Sequence, residues 1–67
     1  MRWRRRLVRL HLLGDQPSFE GILVGRTGGH YQLEAPKMLV SEDQTQTLDG
    51  SVLVPAERVL FVQVLGR

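Results

Sequence analysis

Apolar and polar side chains alternate along most of this chain, in short runs cut by turn-forming residues. In Leu7–Leu13 (LVRLHLL), Val8, Leu10 and Leu12 alternate with Arg9 and His11. This period of two gives a strand one buried face. Gly14–Ser18 (GDQPS) is rich in residues that supply turn geometry. Phe19–Gly25 (FEGILVG) predicts a second strand, with Phe19, Gly21 and Leu23 on one face and Ile22 and Val24 on the other. A glycine inside a strand marks a sharp bend, as at a barrel corner, so Gly21 is read as structural. Arg26–Gly29 (RTGG) is a tight turn. His30–Ala35 (HYQLEA) predicts the third strand, with Tyr31, Leu33 and Ala35 on one face and an extension through Met38–Val40. Ser41–Gly50 is polar and reads as a variable loop or the end of a hairpin.

Two more apolar runs, Ser51–Val54 and Val59–Val64, flank Pro55-Ala56-Glu57-Arg58. Four residues beginning with proline fit one tight helical turn, because proline suits a first helical position. The fourth and fifth strands then meet at a sharp corner around Pro55. In Val59–Val64 both faces are apolar apart from Gln63. A small barrel has one interior, so the second face and the strand edge need other cover, best supplied by another copy of the chain. Val52, Val54, Val59, Phe61 and Val62 are the residues expected at that interface. The fold class is all-β: a small, strongly bent, five-stranded SH3-like barrel. An OB-like barrel would carry a helix between its third and fourth strands, and Ser41–Gly50 has no apolar helical stripe.

Length and composition sharpen this picture. Sixty-seven residues make one small domain, which buries too little surface to be robust alone. With no cysteine, disulfides and thiolate metal sites are absent, and His11 and His30 lack the spacing of metal ligands. No cofactor is expected, and oligomerisation is the supplement left. The lack of cysteine fits a cytoplasmic protein. No apolar run approaches the ~20 residues that span a bilayer, and Leu10–Leu13 is too short and broken for a signal peptide. The charge is uneven. Arg2, Arg4, Arg5, Arg6 and Arg9 crowd the first nine residues, whereas Arg26, Lys37, Arg58 and Arg67 face seven acids in the rest. Residues 1–6 read as a basic arm and residues 7–67 as the barrel domain. Such an arm suits a polyanion such as nucleic acid. Trp3 among the arginines can stack on a base or cover one end of the barrel. The plainer alternative is a frayed, solubilising terminus.

From Leu7 onward the chain resembles the Sm-like (LSm) family, as a divergent small member of bacterial or phage type. VRLHLLGDQPSFEGIL is similar to that family's first two strands, with Gly21 as the signature glycine. HYQLEAP is similar to the third strand, and GSVLVPAERVLFVQV to the second Sm motif. The resemblance implies a homo-oligomeric ring of six or seven copies, in which the fourth strand of one subunit pairs with the fifth strand of its neighbour. It also implies binding of single-stranded RNA. The usual N-terminal helix is reduced or absent, since only Met1–Arg6 precedes the first strand. The family's uridine pocket uses an Asp-x-x-Met-Asn-like run and an Arg-Gly pair. Here TGGHYQ and Pro55-Ala56 stand in those places, with Thr27 near the Asp position and His30 near the Asn position. The glycines and Pro55 offer no stacking surface. His30 and Tyr31 are left as a modified pocket, since an imidazole both stacks and hydrogen-bonds. The alternative puts Tyr31 in the core or an interface and His30 in a solvated turn. The RNA-binding set is therefore Arg2, Trp3, Arg4, Arg5, Arg6, His30 and Tyr31.

No catalytic constellation accompanies these features. Ser18, Ser41 and Ser51 stand near no suggestive histidine, and GRTGGH lacks the Lys-Ser/Thr ending of a phosphate loop. The chain reads as non-enzymatic, without a small-molecule substrate. Three functions compete: an RNA-binding ring of weak sequence selectivity, an assembly ring without a working uridine pocket, and a monomeric peptide-binding module. The scattered aromatics Trp3, Phe19, Tyr31 and Phe61 disfavour the third.

Overall fold

The computed structural model describes residues 5–66. Its strands are β1 (Arg6–Leu12), β2 (Ser18–Thr27), β3 (His30–Leu39), β4 (Thr45–Thr47), β5 (Ser51–Pro55) and β6 (Val59–Val64). A single 3₁₀ turn, Ala56–Arg58, joins the last two. All pairings are antiparallel, in the order β4-β3-β2-β1-β6, with β5 also paired to β3. The five expected strands are present. The sixth, β4, lies in the polar segment read as a variable loop or the end of a hairpin, and it pairs with the far end of β3 through Lys37–Leu39.

The alternation in β1 holds: Val8 and Leu10 are buried while Arg9 and His11 face outward. Leu23, Leu33 and Val54 complete the buried core, with Leu12, Phe19, Tyr31, Val52, Val59 and Val62 packed around it. On the outside, Arg9 Nη2 donates to Glu20 Oε1 at 2.8 Å between residues directly opposite on β1 and β2.

The sheet closes around so small a core because β2 and β3 bend, and bulges bend them. Glu20 pairs with Lys37 and Ile22 with Glu34, so Gly21 alone opposes Ala35 and Pro36. Ala35 takes a left-handed backbone, φ 50°. This extra residue shifts the side-chain period. Ala35 is therefore exposed and Pro36 is buried, which corrects the expected face of Tyr31, Leu33 and Ala35. A proline is tolerated within a strand at such a bulge. Its carbonyl accepts a hydrogen bond from the Leu48 amide at 3.0 Å. A Cβ on Gly21 would stand 2.9 Å from the Glu34 carbonyl oxygen and 3.3 Å from the Pro36 Cα. The bend thus requires glycine at this position.

Another bulge reshapes β6. His11 pairs with Phe61 and Leu12 with Val59, which leaves Leu60 unpaired. Val59 and Val62 consequently both turn inward, and Leu60 and Phe61 both turn outward, at 61% and 51% exposure. Pro55 ends β5, and the helical turn begins one residue later than proline's usual placement suggests.

Candidate functional site

Two turns meet at one end of the sheet. Thr27-Gly28-Gly29-His30 is a two-residue hairpin loop, and Gly28 and Gly29 both have positive φ, 54° and 76°. Two successive left-handed residues characterise the tight turn that matches strand twist, and glycine adopts them without steric cost. His30 pairs with Pro55 across β3 and β5, and the Ala56 amide donates to the Gly29 carbonyl at 2.9 Å. These links fasten the hairpin loop to the 3₁₀ turn. Between them lies an open cleft of about 410 Å³, lined by Arg26, Gly28, Gly29, His30, Pro55, Ala56 and Glu57.

The His30 ring is held by its own turn. Its Nδ1 lies 2.9 Å from the Gly28 carbonyl oxygen, which can only accept, so Nδ1 carries the proton and donates. In the neutral ring Nε2 is then the free acceptor. Arg26 places its guanidinium carbon 5.4 Å from the centre of the Tyr31 ring, within the range of a cation–π contact. Arg26 and Glu57 are exposed. Among the described residues the ion pairs are Arg5–Glu34 and Arg9–Glu20, so neither charge in the cleft has an ionic partner among them.

The sequence-derived site residues distribute unevenly. His30 and Pro55 line the cleft. Tyr31 opposes Val54, packs against the core and lies under Arg26, so it supports the cleft without lining it. Thr27 is exposed and outside the lining. Arg5 pairs with Glu34, and Arg6 is the first residue of β1, so both are tied to the barrel. Arg2, Trp3 and Arg4 lie outside the described residues. Arg26 lies in the same hairpin as His30 but was not singled out as a site residue, and Glu57 is remote from both in sequence and reaches the cleft through the pairing of β3 with β5.

The residues expected between copies also separate by face. Val54 is 3% exposed and belongs to the core, and Val52, Val59 and Val62 pack against it. Of the five, Phe61 alone is exposed. The free apolar surface of β5 and β6 is carried instead by Leu53, Leu60, Phe61 and Val64. Phe61 stacks on His11, with ring centres 4.4 Å apart, and His11 Nε2 shares a hydrogen bond of 2.8 Å with Gln63 Oε1. Among the described residues β5 pairs with β3 alone and β6 with β1 alone, so each retains an open edge. Among the same residues no group of three or more acidic or histidine side chains is placed to hold a metal ion.

No protein-family model matches the chain, and no curated protein matches it. Among solved structures it is similar to the SmAP1 heptamer of P. aerophilum. The identity is 22% and the TM-score 0.75, over 92% of this chain and 81% of that one. The chain has the Sm-like fold.

Proposed function

We propose that this protein is a non-catalytic, homo-oligomeric ring of six or seven copies that binds single-stranded RNA with weak sequence selectivity. The observation that carries the ring is the pair of open strand edges at the end of the chain. Among the described residues β5 and β6 are both unpaired on one side, and both present exposed apolar side chains. Joining β5 of one copy to β6 of the next satisfies both edges, and repetition of that contact around an axis closes a ring. The SmAP1 chain with the same fold is a heptamer. RNA binding is supported by the resemblance to the Sm-like family and by the basic N-terminal segment, in which Arg2, Arg4 and Arg6 stand beside Arg5 and Arg9, the two engaged by Glu34 and Glu20. Phosphate contact through such an arm gives affinity without reading sequence. The lack of cysteine suits a cytoplasmic setting.

Sedimentation or native mass spectrometry is expected to give six or seven times the 7.6 kDa chain mass. A folded monomer at micromolar concentration overturns the ring. Fluorescence anisotropy with labelled oligo(U), oligo(A) and a mixed strand is expected to show binding that falls steeply with salt. No binding even at low salt leaves an assembly ring without an RNA role.

A further inference from the structure

His11 stands one strand in from the open edge of β6, on the outer face of the sheet. Its ring lies nearly parallel to that of Phe61, at 17°, with the centres 4.4 Å apart. Phe61, Leu60 and Val64 form the exposed apolar surface of β6. The Gln63 amide oxygen can only accept, so at 2.8 Å His11 Nε2 carries a proton and donates to it. Nδ1 is left as the free acceptor, and a second proton enters there. The charged groups around this ring are few. On β1, Arg9 points to the same face two residues away and is engaged by Glu20 of β2. On β6 the neighbours are Phe61 and Gln63, which do not titrate. The Leu13 amide donates to the Arg58 carbonyl at 2.9 Å, which brings the 3₁₀ turn, with exposed Glu57 and Arg58, to the end of β1. Asp15, in the turn after β1, is exposed. Among the described residues the ion pairs are Arg5–Glu34 and Arg9–Glu20, so no carboxylate among them pairs with His11.

From this arrangement we infer that the stacked His11–Phe61 pair makes the contact between copies sensitive to pH, holding the ring closed when His11 is neutral and loosening it when His11 is protonated. The inference rests on the ring reading and adds a control to it. Adjacent strands lie ~4.8 Å apart, so a neighbouring copy's strand added to β6 stands about 10 Å from β1, within reach of large side chains. That strand covers Phe61 directly and removes water from the imidazole stacked behind it. A neutral imidazole enters such a contact as one more flat, weakly polar ring. A charged one must be desolvated, and burying a charge without a partner is costly. Glu20, the carboxylate opposite Arg9, is already committed to that arginine. The sign follows from linkage. Assembly favours the form with fewer protons, so the contact is strongest above the range in which imidazoles titrate and weakens as pH falls through it. That range lies between about pH 5 and 8. A closed ring of six or seven copies repeats the penalty at every contact.

The test is sedimentation velocity of the full-length protein over a dilution series, at pH about 7.5 and about 5.5, with circular dichroism to check folding. Carboxylates ordinarily titrate near pH ~4 and stay charged across this interval, which leaves the histidines as the groups that change. For the unaltered protein, the concentration at which half the chains are assembled is expected to rise about tenfold or more at the lower pH. His11→Phe keeps an aromatic ring against Phe61 without a titrating nitrogen and is expected to assemble equally at both pH values. His11→Gln supplies a second neutral side chain should His11→Phe fail to fold, with the same expectation. His30→Asn removes the other histidine and is expected to retain the response of the unaltered protein. Rings that resist dilution equally at both pH values overturn this inference and leave the ring intact. A response that persists in both His11 variants, or disappears in His30→Asn, also overturns it. A folded monomer at the higher pH overturns the ring reading itself.

Discussion

Gly21 and Gly25 lie in the same strand and differ sharply in their surroundings. A Cβ at Gly21 would come within 2.9 Å of the Glu34 carbonyl oxygen, a backbone atom fixed by the bulge. At Gly25 it would meet nothing within 4 Å, and the backbone there is not left-handed. Gly21→Ala is therefore expected to destabilise the protein, and Gly21→Val more so, by about 1–3 kcal/mol as overpacking typically costs. Thermal unfolding measures this, since ~1 kcal/mol moves the melting temperature of a domain of this size by about 4–8 °C. Gly25→Ala is expected to be neutral or slightly stabilising by restricting the unfolded chain. A Gly21→Val protein that melts like the wild type contradicts the bulge geometry. Gly21 was legible in the sequence as a glycine interrupting a strand. The partnership of Arg26, His30 and Glu57 was not, because Glu57 reaches the cleft only through the pairing of His30 with Pro55.

The last strand shows how one unpaired residue redirects an element. Strict alternation places Val59 and Val62 on opposite faces, and the bulge at Leu60 brings both inward. Leu60 and Phe61 are left side by side on the exterior, next to the open edge of β6. Leu60→Glu or Phe61→Glu is expected to split the proposed ring into smaller folded species. The substituted side chain leaves the core intact and, in the proposed ring, sets a charge against the apolar edge of the next copy. Val54→Glu is expected to behave differently and to unfold the chain, because it places a carboxylate in a core with no buried polar partner among the described residues. Sedimentation combined with far-ultraviolet circular dichroism separates the outcomes. Monomeric but folded Val54→Glu, or Leu60→Glu rings as large as the wild type, reverses the assignment of faces. The apolar content of Val59–Val64 was plain from the sequence. The face of each residue was not, since a bulge has no signature in a pattern of period two.

Across the molecule, a basic N-terminal segment and an acidic remainder coexist in a chain of 67 residues. Arg5 is engaged by Glu34 and Arg9 by Glu20. Polyanion binding is accordingly expected to rest mainly on Arg2, Arg4 and Arg6. Removal of Met1–Arg4 is expected to weaken oligonucleotide binding far more than His30→Ala does. It is also expected to flatten the salt dependence. The slope of log affinity against log salt falls by about 0.7 for each phosphate of a single strand that the arm no longer neutralises. Anisotropy titrations at several ionic strengths measure both quantities. Tight, salt-insensitive binding that survives the truncation and disappears with His30→Ala places the affinity in the cleft instead of the arm.

Local sequence was enough to set five of the six strands, the core face of β1 and β2, the bend at Gly21 and the tight corner after Pro55. Each of these follows from local steric preference or from a period of two that neighbouring residues impose on one another. Folding in three dimensions settled that Pro36 is buried and Ala35 exposed, that Val54 fills the core while Leu53 is free, and that Arg26 and Glu57 share a cleft. All three outcomes have the same origin. Bulges and cross-strand register are agreements between two strands. They are settled by which backbone hydrogen bonds can be satisfied around a small buried core, and no single stretch of sequence contains both partners.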